Sequence, residues 1–384
     1  MEIFNEYLDP IVKDIDIIRE EIIKSKPNRL ADNFSVLSAL LCTMGLISNC
    51  VESDAMDIIS KNKKYYNESN KKKLKLYRKL IDNFISEKEE HHEIANSLIK
   101  TYDKEFCFYK KKPLYLSENQ MYEIIYNFLN DEFNQASEFS ELVNNGYIYK
   151  ADNDDNDCAG YTIYNCISKN SFIIILDNKY ITDIDMMRVL VHEFGHVINN
   201  NEKNNSSRKQ ELSGGLVSSY IEVYSLLYEK LFLDYLIKNK IFPNNSIKSL
   251  KDYYFEGYSY INSLEYLSSL KDSLLKKENY LKKAYIKEQL LVDENGKSYI
   301  PAFATSNIGN ALSYSYGILM ANYLAELKHK DEDTFNKNFD NFKLKRYNSF
   351  DFNIFNDIGT NKEDIIKTYD ESLKQISTKK IILK

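Results

Sequence analysis

Residues 182–198 read TDIDMMRVLVHEFGHVI, and the rest of the chain is read outward from them. Thr182, with Asp185 three residues on, has the form of a helix capping box. Ile184, Met187, Leu190, Val191, Phe194 and Val197 recur at intervals of three and four, which predicts one mostly buried helix. His192 and His196 are one turn apart on it, so both imidazoles leave the same face and can bind a single Zn²⁺. Glu193 points to the adjacent side, placed to take a proton from a metal-activated water rather than to bind the metal. The chain has only five histidines in 384 residues, so this spacing is not an accident of composition. Two core histidines flanking a buried glutamate with no metal to serve would be costly to desolvate.

A catalytic zinc normally takes a third protein ligand and keeps one position open. Residues 199–202 read Asn-Asn-Asn-Glu, and the next histidine is His329, so the third ligand is expected to be a downstream carboxylate: Glu202, Glu211, Glu222 or Glu229. Glu222 leads. It lies in the otherwise apolar run from Gly215 to Glu229, read as one helix on which Ser218, Glu222, Ser225 and Glu229 make a polar stripe. A carboxylate inside such a helix is costly unless paired or bound to metal, and Glu229, two turns on, suits a hydrogen bond to a zinc-bound imidazole. Glu229 as the ligand itself is the competing reading.

Strand signals are confined to the region just before the motif. Tyr147-Ile148-Tyr149, Tyr161-Thr162-Ile163-Tyr164 and the β-branched run Phe172-Ile173-Ile174-Ile175-Leu176 predict short strands, and helices return from Thr182, broken at Asn200–Asn205, Pro243–Asn245 and Asn295–Gly296. The run at 172–176 could accept an extended peptide as an added strand. Residues 1–112 read as helices, with Ile11, Ile15, Ile18 and Ile22 at helical spacing, and no chemistry is visible there. His91 and His92, among Glu89, Glu90 and Glu93, read as a surface patch. A helix is expected to start at Ser117, after the break around Pro113, which puts a boundary near 114/115.

With 51 basic and 57 acidic residues the net charge is −6, which leaves no broad cationic surface for nucleic acid or anionic lipid. The most apolar stretch, Val36 to Ile47, is about half of the ~20 residues a membrane span requires, so no membrane association is expected. The five cysteines, Cys42, Cys50, Cys107, Cys158 and Cys166, have no metal-type spacing and read as reduced thiols. The N-terminus lacks a basic start followed by an apolar run, and the expected location is the cytoplasm.

Several of these segments together resemble the zinc oligopeptidases of the thimet oligopeptidase and oligoendopeptidase F type. They are Phe172 to Asp177, the HEFGH helix, and Ile-Glu-Val-Tyr-Ser-Leu-Leu-Tyr-Glu at 221–229. Asn144 to Tyr149, Ala159-Gly160-Tyr161, Tyr314-Ser-Tyr316-Gly317 and Gly359 to Asp364 extend the likeness over residues 115–384. The resemblance implies zinc ligands at His192, His196 and Glu222, a general base at Glu193, and a supporting acid at Glu229. It also implies oxyanion donors at Tyr314 and Tyr316. Where the family has a histidine upstream of these tyrosines, this chain reads Ser306-Asn-Ile-Gly-Asn310. The spacing to Glu222 is about one residue longer, and the chain is shorter than the better-known members.

The expected fold is therefore mainly α. A zincin-like core with a small β-sheet over about residues 147–176 lies beside the HExxH helix, enclosed by a helical shell that forms a channel. Residues 1–114 are expected as a helical N-terminal region and 115–384 as the catalytic domain. The expected activity is metalloendopeptidase hydrolysis of short oligopeptides, with one zinc per chain and substrate contacts from Gly160 and Phe172, Ile173, Ile174 and Ile175. No obligatory protein partner is inferred. A zinc carboxypeptidase with the same core, or a catalytically idle peptide-binding relative, is the alternative.

Overall fold

The computed structural model describes residues 4, 9–24, 79–100, 111–152, 159–164, 168–177, 183–205, 220–276, 302–345 and 351–378. The five cysteines, Val36 to Ile47, Thr182, Glu211, Ser218 and Asn295–Gly296 lie outside the described residues. The chain packs as two compact units, one of 1–71 with 112–209 and the other of 72–111 with 210–384.

The first unit holds helix α1 (Asp9–Lys24) and the sheet, and the two are tied together by Asp14. Its buried carboxylate accepts from Ser168 Oγ at 2.8 Å and Asn170 Nδ2 at 2.9 Å, just ahead of the last strand. The sheet has three strands, β1 (Ile148–Asp152), β2 (Gly160–Tyr164) and β3 (Ser171–Asp177), in the order β1-β3-β2. β1 runs parallel to β3 with Ile148 opposite Ile173, and β2 runs antiparallel with Thr162 opposite Ile173. The β-branched run therefore forms the central strand, with Phe172, Ile173, Ile174 and Ile175 all fully buried. A strand covered on both faces needs no polar alternation, which is why this one reads as a continuous apolar run.

Helix α5 packs on β2 and β3, and two shorter helices support it. These are α3 (Glu118–Phe133) and α4 (Ala136–Asn144), and α5 itself is Asp183–Asn205. α3 starts where the sequence places it: Ser117 caps the helix and exchanges hydrogen bonds with Gln120. Ile184, Met187, Leu190, Val191, Phe194, Val197 and Ile198 of α5 are buried, and Phe194 meets Phe139 of α4 edge to face at 5.6 Å. The expected break at Asn200–Asn205 does not occur, because α5 runs on through Asn205. Asparagine is only a moderate helix former, but the run holds no Pro or Gly to stop the ladder, and Asn199 is itself buried.

Among the described residues the second unit is all helical. It comprises a helical segment at 79–86, α2 (Lys88–Ile99), α6 (Glu222–Lys238), α7 (Pro243–Ser269), the single turn α8 (Asp272–Leu275), α9 (Ala302–Lys330), α10 (Glu332–Lys345), the short α11 (Asn353–Asp357) and α12 (Lys362–Thr378). α9 is its axis, packed on α6, α7, α10 and α12, and α7 also carries α2. The expected break at Pro243–Asn245 becomes a helix start: Phe242 takes a left-handed conformation and Pro243 opens α7, where its missing N–H costs nothing. Every residue of α6 from Glu222 to Leu233 is buried. Among the described residues no helix is long and apolar enough to cross a membrane. The molecule is thus mainly α, with a small sheet beside the helix that bears the HExxH motif.

Candidate metal centre

His192, Glu193 and His196 sit mid-way along α5, where the apolar side of the helix is held against the sheet and the other side is left for chemistry. The two imidazoles are half-buried, with ring centroids 5.1 Å apart and planes at 81°. One ligand atom from each of them and a carboxylate oxygen of Glu222 lie within 4.8 Å of one another. Glu222 is buried and is the first residue of α6, preceded by the turn residues Tyr220 and Ile221, so it opens its helix and does not lie inside one as the sequence suggests.

Two imidazoles and one carboxylate are a ligand set that catalytic zinc takes. Each such ligand lies about 2.0–2.2 Å from the zinc it holds. The residues therefore fit the metal. Of the other carboxylates considered, Glu229 is buried on α6 seven residues after Glu222, and Glu202 is half-buried near the end of α5. Neither belongs to the close group.

Glu193 is buried, with a single side-chain partner among the described residues: the Thr162 hydroxyl donates to its Oε2 at 2.7 Å and lies 3.0 Å from its backbone carbonyl. Thr162 went unnoticed in the sequence, where one threonine in a short strand carries no signal. At Gly160, two residues earlier on β2, the strand and α5 approach closely. A Cβ there would stand 2.8 Å from Val189 Cγ1, 3.1 Å from the Ile174 carbonyl and 3.4 Å from Glu193 Cγ.

One expectation is overturned. β3 cannot receive a peptide as an added strand, because β1 and β2 occupy its two edges and Phe172, Ile173, Ile174 and Ile175 are buried in the core. Continuous hydrophobicity identifies an interior strand, and an interior strand is the one least able to bind a substrate backbone. The outer strand beside α5 is β2.

Tyr314 and Tyr316 both lie on α9 but in different surroundings. Tyr314 is half-buried and stacks on Tyr260 of α7 at 4.3 Å. Tyr316 is fully buried, and its hydroxyl lies 2.7 Å from Nδ1 of His91. Burial raises the Tyr316 pKa well above the ordinary value, so the phenol keeps its proton. Burial likewise lowers that of His91 to about 3, so the imidazole is neutral and Nδ1 can accept from the phenol. His91 is thus no surface residue, unlike its half-exposed neighbour His92. It is enclosed by Phe84, Phe352 and Tyr316. Next on the helix, Gly317 lets α9 approach α6, since a Cβ there would lie 3.1 Å from Glu222 Cβ.

No protein-family model and no curated protein matches the chain. Several solved structures are similar to it in outline. A provisionally assigned peptidase from Chlamydophila abortus aligns over 90% of this chain at 16% identity and a TM-score of 0.41. A provisionally assigned oligoendopeptidase F from Bacillus anthracis str. Ames aligns over 91% at 12% identity and 0.44. PZ peptidase A, solved with an inhibitor, aligns over 93% at 11% identity and 0.43. This chain spans 63% of the length of the first and 66% of each of the other two. At these scores the likenesses carry no argument about the reaction.

Proposed function

We propose that the chain is a zinc-dependent metalloendopeptidase acting on short oligopeptides, with its catalytic residues drawn from 115–384. The observation that carries the reading is the convergence of His192, His196 and Glu222 beside a buried Glu193. His192, His196 and Glu222 would hold the zinc, and Glu229 would steady the site from further along α6. When bound, the metal supplies Lewis acidity toward a peptide carbonyl and acidifies water to a pKa of about 7.

The other steps belong to the side chains. Glu193 accepts the proton released by the attacking water and delivers it to the departing amine, so that one carboxylate serves as base and then as acid. The developing oxyanion needs a donor, and such a donor is worth about 2.7–4 kcal/mol in enzymes where one has been removed. We assign this role to Tyr314, which keeps some exposure, because the Tyr316 hydroxyl is already shared with His91. An extended peptide would lie along β2, the outer strand, with Gly160 among the residues it passes.

The test is mass spectrometry of a defined peptide mixture incubated with wild type and Glu193→Gln, with zinc measured on the same samples. The reading expects internal cleavage by wild type, and a variant that keeps its zinc while losing about 10²–10⁴-fold in rate. A ladder of single C-terminal residues would instead identify a carboxypeptidase. Zinc-loaded wild type that cleaves nothing would leave a binding protein.

A further inference from the structure

Glu193 is a flexible side chain in a buried place. A glutamate gives up as much as about 1.5–2 kcal/mol of rotamer freedom when fixed, and something must hold it if its carboxylate is to meet one water in one orientation. Among the described residues no lysine or arginine pairs with it, and its side-chain contact is the hydrogen bond from Thr162.

We propose that Thr162 is the positioning residue for the general base, setting the Glu193 carboxylate for proton transfer; this rests on the peptidase reading above. Three features support it. A hydroxyl donating to a carboxylate at 2.7 Å makes a charge-assisted bond, stronger than one between neutral groups. The bond anchors the carboxylate through Oε2, and Oε1 is assigned as the oxygen that takes the proton. Thr162 is also β-branched and stands on a strand paired with β3, so the donor is stiff at χ1 before any substrate arrives. Finally, residues two apart on a strand share a face, and Gly160 and Thr162 both meet Glu193. The absent side chain at 160 brings the strand in, and the hydroxyl at 162 makes the bond that closeness allows.

A purely structural hydroxyl, capping the Glu193 carbonyl at 3.0 Å, is the competing explanation, and it predicts a different pattern. The experiment compares zinc-loaded wild type, Thr162→Val, Thr162→Ser, Glu193→Gln and the Thr162→Val/Glu193→Gln double variant. The readouts are kcat, KM, zinc content, thermal midpoint and a crystal structure of Thr162→Val. Valine keeps the shape and removes the donor, and its expected effect is a kcat lower by about 10- to 100-fold with KM and zinc content unchanged. Serine restores the donor and is expected within a few-fold of wild type. In the Glu193→Gln background the valine substitution should cost nothing further, since the group it positions no longer accepts a proton. In the crystal structure the Glu193 carboxylate should leave its wild-type rotamer.

An active enzyme in which Thr162→Val keeps full kcat, or loses equally in both backgrounds, overturns the positioning role and leaves the peptidase reading intact. Wild type without activity overturns the peptidase reading and the positioning role with it.

Discussion

Nδ1 of His91, on α2, lies 2.7 Å from the hydroxyl of Tyr316, on α9, with neither side chain reaching solvent. The bond joins residues 225 positions apart inside one helical unit. It also separates the roles of the two tyrosines on α9. Tyr316→Phe withdraws the donor from a buried imidazole nitrogen and should cost about 1–3 kcal/mol of stability, with a modest effect on turnover. Tyr314→Phe should do the reverse, lowering kcat while leaving the urea midpoint near that of wild type. Steady-state kinetics and urea unfolding of both variants check the assignment, and the opposite pattern would transfer the oxyanion role to Tyr316.

The same imidazole makes stability depend on pH in a known direction. Burial lowers the folded pKa of His91 to about 3, from about 6.5 in the unfolded chain, so the unfolded state binds more protons between those values. This contribution is complete above pH 6.5 and is lost as pH falls toward 3. Nearby Glu87 has the opposite sign. Burial, with Asp351 and Glu90 adding repulsion, raises its pKa to about 7, so its contribution is fullest below 4.5 and disappears as pH rises through 7. The 3.8 Å approach of His91 Nε2 to Glu87 is therefore not an ion pair in mildly acidic solution, because the imidazole stays neutral and the proton sits on the carboxyl. Urea midpoints from pH 4.5 to 8 should show a shallower acid limb for His91→Gln and a gain above pH 7 for Glu87→Gln.

For the proposed metal ligands, Glu222→Ala should lose zinc, whereas Glu229→Ala should only weaken its retention. Second partners of metal-bound imidazoles typically contribute about 10–100-fold in affinity. Zinc content after dialysis and competition with a chelating dye give the ranking, and the reverse order would make Glu229 the ligand.

Gly160→Ala tests the fit between β2 and α5. Its Cβ would meet Val189 Cγ1 at 2.8 Å and the Ile174 carbonyl at 3.1 Å, and the carbonyl belongs to the central strand and cannot rotate away. The strand must back off, at about 1–3 kcal/mol as in other overpacked cores. The kcat should fall along with the thermal midpoint, because Thr162 moves with the strand.

What could be read in the sequence was local. HExxH fixes its own geometry, since any helix places residues i and i+4 on one face, and the run at 172–176 announces a strand by composition. The errors came wherever the answer depended on packing. The centre of the sheet and its edge are distinguished by neighbours, and hydrophobicity alone made β3 look like a docking strand. The asparagines after His196 looked like a break, yet α5 continues through them. Thr162 matters because of a residue 31 positions away, and His91 because of one 225 positions away, distances over which no periodicity speaks. Its acidic neighbours gave His91 the look of a surface residue, whereas Phe84, Phe352 and Tyr316 enclose it.

Helix α2 has a consequence for how this polypeptide can be cut or recombined. Its Ile94, Ala95 and Leu98 are buried along with His91, and α2 lies on α7. An expression clone begun at residue 115 would discard that whole layer and bare the aromatic side chains that surround His91, at about 3–5 kcal/mol for the loss of even one large core side chain such as Phe84. Residues 79–99 are thus part of the core of the helical unit and not an appendage to it. A partial digest, a chimera or a split version of the protein should keep α2 with the C-terminal helices, whatever is done to the residues between them.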